Sequence, residues 1–118
     1  MLPIVVDTNL VVSALRSGGG ASRQIVRGCL TGLYEPLFGL ALLAEYKHAT
    51  YGLPSVPHDE AVTLVEALAS MGRWVSIYYL WRPNLRDESD NHLFELAVAG
   101  GAAAIVTHNV RDLRSGEL

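Results

Sequence analysis

Short apolar runs alternate along the chain with longer segments whose apolar residues recur at helical spacing. The apolar runs predict four strands, at residues 3–7, 33–38, 74–79 and 103–107. The longer segments predict five helices, at residues 8–15, 22–30, 40–50, 58–70 and 87–99. Strands that alternate with helices favour right-handed crossovers and a mostly parallel sheet covered on both faces. The pattern therefore predicts an α/β fold.

Two local features bear on the boundaries of these elements. Ser22 is placed to cap the second helix, because its hydroxyl can accept a hydrogen bond from the first helical turn. Pro36 weakens the prediction of the second strand, because proline cannot donate a hydrogen bond to a neighbouring strand. Glycines at 18–20, 32 and 100–101 mark loops between the elements.

Acidic residues follow the predicted strands at one edge of the sheet. Asp7 closes the first strand, the acidic segment Asp87-Glu88-Ser89-Asp90 opens the helix after the third, and Asp112 follows the fourth. In parallel sheets, functional groups gather at the carboxyl ends of the strands. We therefore expect Asp7, Asp90 and Asp112 to lie together, with Asp90 one turn into its helix, just before an apolar face of Leu93, Phe94 and Ala97.

Each of these residues also has a purely structural explanation. Asp7, Thr8 and Asn9 can accept hydrogen bonds from the N–H groups of the helix that follows. Asp87 can cap its helix while Asp90 reaches back from the third helical position. The loop residues that can simply satisfy nearby backbone groups or face solvent are Thr107, Asn109 and Asp112.

Glu45 has a weaker structural explanation than the other acids. It shares a predicted helical face with Ala41, Leu42 and Ala49, and a carboxylate buried there without a partner costs several kcal/mol. The alternative is that its long side chain reaches water. Four acids at one strand edge without an obvious basic partner are best explained by hard divalent cations with oxygen ligands, Mg²⁺ or Mn²⁺.

The histidines do not indicate a zinc site, because none of them pairs with another on one helix in a pattern such as HxxxH. Surface positions are the expectation for all four, His48, His58, His92 and His108. Arginines flank the acidic helix start and the last turn, where they could hold phosphates beside a metal or form weak surface ion pairs. These arginines are Arg82, Arg86, Arg111 and Arg114.

Composition limits the class of protein. At 118 residues, half of them apolar, the chain is expected to form a single domain, 1–118. Cys29, the single cysteine, cannot form an internal disulfide, and the first residues lack a basic segment and a long apolar stretch, so a cytoplasmic location is expected. A net charge of −3 argues against binding nucleic acid by net charge alone, although bound divalent cations would offset it.

Four stretches, VVDTNLVVSAL, LLAEY, WRPNLRDESDNHLFELAVAGGA and IVTHNVRDL, together resemble the PIN-domain nucleases, most closely the toxins of bacterial and archaeal toxin–antitoxin pairs. The resemblance spans nearly the whole chain. It implies a three-layer α/β/α sandwich and a metal-dependent endoribonuclease that cuts single-stranded or structured RNA. By the family pattern the acidic quartet is Asp7, Glu45, Asp90 and Asp112. The supporting residues would be Thr8, Asn9, Asp87, Thr107 and Asn109.

One departure from the family pattern is expected at the C-terminal end, where the final edge strand of the sheet is missing. An exposed sheet edge favours association, so a homodimer and a cognate antitoxin are the expected partners. The alternative is a catalytically weak PIN-like module that binds RNA or an antitoxin. A phosphatase of the aspartyl-phosphate type is disfavoured, because Asn9 stands where a second acid would be needed.

Overall fold

A computed structural model of the chain describes residues 1–16, 20–76 and 88–107, and of residues 88–91 it describes the backbone alone. The strands are β1 (Leu2–Val6), β2 (Tyr34–Phe38), β3 (Arg73–Trp74) and β4 (Ala104–Val106). The helices are α1 (Thr8–Arg16), α2 (Ala21–Leu30), α3 (Leu40–Thr50), α4 (His58–Met71) and α5 (Glu88–Gly100). All strand pairs are parallel, which confirms the predicted α/β class.

The strand order, β3-β2-β1-β4, contains one reversal. The chain proceeds outward from β1 through β2 to β3 and then returns to place β4 on the other side of β1. Right-handed connections, the rule for parallel strands, then put α1–α4 on one face and α5 on the other. Parallel sheets bind ligands at such a reversal, outside the carboxyl ends of the strands. In this sheet that position lies between the ends of β1 and β4.

The core is built around β1. Ile4, Val5 and Val6 are all buried, although alternate residues of a strand face opposite ways, so both faces of the sheet are covered. Helices from the two faces supply the other large buried side chains around them, among which are Leu10, Val11, Leu42, Tyr46, Leu93 and Leu96. Among the described residues no helix is long and apolar enough to cross a membrane.

The structure can be compared with three local predictions, which concern Ser22, Pro36 and the third strand. Gly20, not Ser22, occupies the N-cap position of α2, with a φ of 100° that favours glycine. Ser22 is buried in the first turn of α2, and its hydroxyl donates to Ser13 Oγ over 3.1 Å. Pro36 lies within β2 as predicted, at the point where pairing with β1 ends and before pairing with β3 begins at Leu37. β3 is two residues long, and residues 77–79 of the predicted strand lie outside the described residues.

Candidate active site

Asp7 lies at the carboxyl end of β1, beside the point where the strand order reverses. Its N–H donates to the carbonyl of Val106 over 2.9 Å, which extends the pairing between β1 and β4. Its carboxylate Oδ2 accepts a hydrogen bond of 2.7 Å from the Thr107 hydroxyl. The N–H of Leu10 donates to the main-chain oxygen of Asp7 over 3.0 Å, which places Asp7 at the start of α1. The bond from Thr107 orients the Asp7 carboxylate from the neighbouring strand end.

Glu45 of α3 is held by donors from two other helices. The hydroxyl of Thr8, a buried residue that opens α1, donates to Oε1 over 2.5 Å. His92 of α5 places Nε2 3.0 Å from Oε2. The Glu45 side chain keeps 37% of its surface accessible. The Glu45 side chain therefore reaches toward water, which was one of the two explanations given for it from the sequence. Both of its carboxylate oxygens also have protein partners.

Tyr46 joins α3 to the same end of β1. Its side chain is buried, and the phenol hydroxyl donates to the carbonyl of Val6 over 2.5 Å. Burial is the main cause that raises the pKa of Tyr46 well above its ordinary value, and the negative charges of Cys29, Asp7 and Glu45 act in the same direction. Tyr46 thus anchors Glu45 near Asp7 and stays protonated.

Replacing Tyr46 with phenylalanine is expected to give a pH-dependent loss of stability. At pH 7 the lost hydrogen bond should cost about 1 kcal/mol. Above about pH 10 the unfolded chain loses the phenol proton while the folded protein retains it, so the wild type loses stability as the pH rises. The Tyr46→Phe variant has no phenol at this position and does not lose stability in this way. The difference in the free energy of unfolding between the two proteins should therefore narrow as the pH rises. Urea unfolding from pH 7 to 11 measures it, with Tyr51→Phe as the control; a constant gap would contradict the assignment.

The structure brings together some of the predicted site residues. Asp7, Thr8, Glu45 and Thr107 are linked at the carboxyl edge through β1, α1, α3 and β4. Asn9 is exposed on α1, and Asp90 lies in the first turn of α5, where the backbone alone is described. The other predicted residues lie outside the described residues, namely Arg82, Arg86, Asp87, Asn109, Arg111, Asp112 and Arg114.

His92 corrects a prediction. A surface position was expected, yet its side chain is 10% accessible and contacts Glu45. The buried face of α5 contains His92, Leu93 and Leu96, whereas Phe94, predicted to belong to the apolar face, is 43% exposed. His92 precedes Leu96 by four residues, so it is a polar residue on an apolar face, the signal that singled out Glu45. His48 and His58 are exposed as expected, and His108 lies outside the described residues.

The donor chemistry of this edge fits a hard divalent cation. Asp7 and Glu45 provide carboxylate oxygens, and within the described part of the chain neither is paired with a lysine or arginine. Those described residues contain no group of three histidine, cysteine, aspartate or glutamate side chains arranged to hold a metal. Two of the four predicted ligands, Asp90 and Asp112, have no described side chain. The two acids that are described are therefore compatible with Mg²⁺ or Mn²⁺ but do not form a complete site.

No curated protein and no solved structure gives a significant match to this chain. A sequence model of the PIN domain matches residues 3–111, a span that contains every strand and helix of the described residues apart from Leu2, the first residue of β1. This match covers most of the chain and is consistent with the parallel sheet. The chain belongs to the PIN-domain family, whose members are generally nucleases.

Proposed function

We propose that this PIN domain is a metal-dependent endoribonuclease that hydrolyses RNA phosphodiester bonds, and that it is the toxin of a toxin–antitoxin pair. The observation that carries the proposal is the placement of the Asp7 and Glu45 carboxylates at the strand reversal of a PIN domain, without a lysine or arginine partner among the described residues. Carboxylates gathered in this way repel one another unless a cation lies between them.

The proposed ligands of Mg²⁺ or Mn²⁺ are Asp7, Glu45, Asp90 and Asp112. Bound cations would supply an activated water and stabilise the leaving oxygen. The protein's own contribution is to fix the carboxylates. Thr107 fixes Asp7 and Thr8 fixes Glu45 through the hydrogen bonds described above. Asn9, Asp87 and Asn109 are proposed to support the same edge.

RNA is proposed to reach this edge through local positive charge. Arg82, Arg86 and Arg111 flank the acidic residues in sequence and are proposed to contact phosphates. The net charge of −3 disfavours binding by the rest of the surface. Affinity for RNA should therefore depend on these few arginines and on the bound cations.

The proposed partners besides RNA are a cognate antitoxin and a second copy of the chain, in the cytoplasm. Support for association comes from large apolar side chains that are exposed, which include Trp74 of β3 and Phe94 and Val98 of α5. Sedimentation at high micromolar concentration distinguishes a homodimer from a monomer.

The proposed activity is tested by incubating a structured RNA with the purified protein, once with Mn²⁺ and once with excess EDTA. Internal cleavage is expected with Mn²⁺, and EDTA should abolish it, because the carboxylates alone cannot stabilise the charge that develops on phosphate. Cleavage that persists in EDTA would contradict the proposed mechanism. RNA binding without cleavage in Mn²⁺ would favour the alternative, a catalytically weak RNA-binding module.

A further inference from the structure

His92 is an unusual residue in the core of this domain. Nε2 lies 3.0 Å from Glu45 Oε2, and a carboxylate only accepts hydrogen bonds, so Nε2 must carry a proton. Nδ1, on the other side of the ring, is buried and has no hydrogen-bond partner among the described residues. A buried polar atom without a partner destabilises the folded protein. Burying an imidazole at this position, with only Nε2 in contact with a partner, therefore lowers the stability of the folded protein.

A direct role of His92 as a metal ligand does not fit this geometry. Nε2 faces the carboxylate of Glu45, and Nδ1 is buried away from solvent, where a hydrated cation cannot reach it. A role in packing alone does not explain the residue either, because an apolar side chain would fill the same space without an unpartnered nitrogen. What the imidazole offers, and an apolar side chain does not, is the N–H directed at Glu45.

We propose that His92 is a positioning residue that holds the Glu45 carboxylate in the orientation in which it binds the cation. This inference rests on the proposed function, because it assigns a role within the same site. Thr8 restrains Oε1 and His92 restrains Oε2, from helices α1 and α5. With both oxygens held, a side chain that is 37% accessible loses the rotational freedom it would otherwise have at the edge. The remaining oxygen lone pairs are left for the metal.

The test compares three variants by calorimetric titration with MnCl₂ at one pH. His92→Phe keeps an aromatic ring, somewhat larger than imidazole, and removes the N–H. His92→Gln keeps an N–H donor of similar reach, and His48→Gln removes an exposed histidine from α3 as the control. Removing a hydrogen-bond partner of a metal ligand typically weakens metal binding by about 10- to 100-fold, so His92→Phe should show that loss. His92→Gln should restore most of the affinity, and His48→Gln should match the wild type.

Two further readouts separate positioning from a merely structural role. Without metal, His92→Phe should remain folded and unfold cooperatively, because removal of the unpartnered Nδ1 partly offsets the larger ring and the lost N–H bond. At an Mn²⁺ concentration near the wild-type Kd, half of the wild-type sites are occupied, so a site that binds about 10- to 100-fold more weakly should lower kcat for RNA cleavage by about 5- to 50-fold, and adding more Mn²⁺ should reduce the difference. If His92→Phe does not fold, His92→Leu takes its place, because it removes the same N–H with a smaller side chain.

Wild-type affinity for Mn²⁺ in His92→Phe would overturn the inference, and so would a loss in His92→Gln as large as that in His92→Phe. Either result leaves the proposed nuclease function standing. A wild-type protein that binds no Mn²⁺ would instead refute the proposed metal site, and the role of His92 with it.

Discussion

Asp7→Asn is expected to lower RNA cleavage by at least about 100-fold and to remove the stabilisation that Mn²⁺ gives the wild type. Asparagine has nearly the shape of aspartate, and its side-chain oxygen can still accept the 2.7 Å hydrogen bond from Thr107. What it lacks is the negative charge. Changing a residue that only forms a hydrogen bond to a metal ligand typically lowers metal affinity or activity by about 10- to 100-fold. Removing the charge of a direct ligand should therefore lower both by more.

The measurement is the melting temperature of each protein with and without Mn²⁺, followed by RNA cleavage. A ligand that binds only the folded state at 100 times its Kd stabilises that state by about 2.7 kcal/mol. Asp7→Asn should melt near the wild-type temperature without metal and gain little when Mn²⁺ is added. The matched control is Asp59→Asn, which neutralises an exposed aspartate in the first turn of α4. Equal Mn²⁺ shifts in wild type and Asp7→Asn would refute the assignment of Asp7.

The fold class and the placement of Asp7 and Thr107 at the same edge of the sheet could be predicted from the chain itself. Both residues directly follow an apolar run, and parallel strands bring their carboxyl ends to one edge wherever they stand in the sheet. That Asp7 and Thr107 are direct neighbours needed the strand order, because the apolar runs do not indicate that β4 pairs with β1 rather than with β3. The strand ends indicated Asp7, Asp90 and Asp112, and the apolar helical face indicated Glu45. The family resemblance added the supporting residues but no contact between them.

The hydrogen bonds of Glu45 could not be predicted. Thr8 and His92 lie 37 and 47 residues away in sequence, so their contacts depend on how α1 and α5 dock against α3. His92 was expected at the surface because no other histidine pairs with it in a zinc-binding pattern. The predicted apolar face of α5 also omitted His92 and included Phe94, which is exposed. A shift of one residue rotates a helical face by 100° and exchanges a buried position for an exposed one. The spacing of apolar residues along a single helix does not determine its buried face to better than about one residue.

Helix ends were predicted within one or two residues, and the miss at α2 has a specific cause. Serine is a favoured N-cap, but Gly20 can adopt the positive φ that this entry to the helix requires. Ser22 then falls inside the helix, where it bonds to Ser13 of α1 and joins the two helices. A local preference was overridden by a contact between helices.

Glu45→Gln is the second change with a large expected effect, and it separates the charge of this residue from its hydrogen bonds. Glutamine has one acceptor oxygen where glutamate has two, and it faces two donors, the Thr8 hydroxyl and His92 Nε2. The amide oxygen should turn to His92, because the hydroxyl of Thr8 can rotate and accept from the amide nitrogen. Without metal, the cost in stability should therefore be small, about 1 kcal/mol.

Metal binding by Glu45→Gln should fall much further, by at least about 100-fold, because the carboxylate charge that attracts the cation is gone. Calorimetry with MnCl₂ and urea unfolding without metal measure the two effects separately. Glu66→Gln, an exposed residue of α4, is the matched control and should change neither. If Glu45→Gln bound Mn²⁺ like the wild type, Glu45 would not be a ligand. Its hydrogen bonds to Thr8 and His92 would then serve only to join α1, α3 and α5, and the metal-binding acids would have to be found elsewhere on the edge.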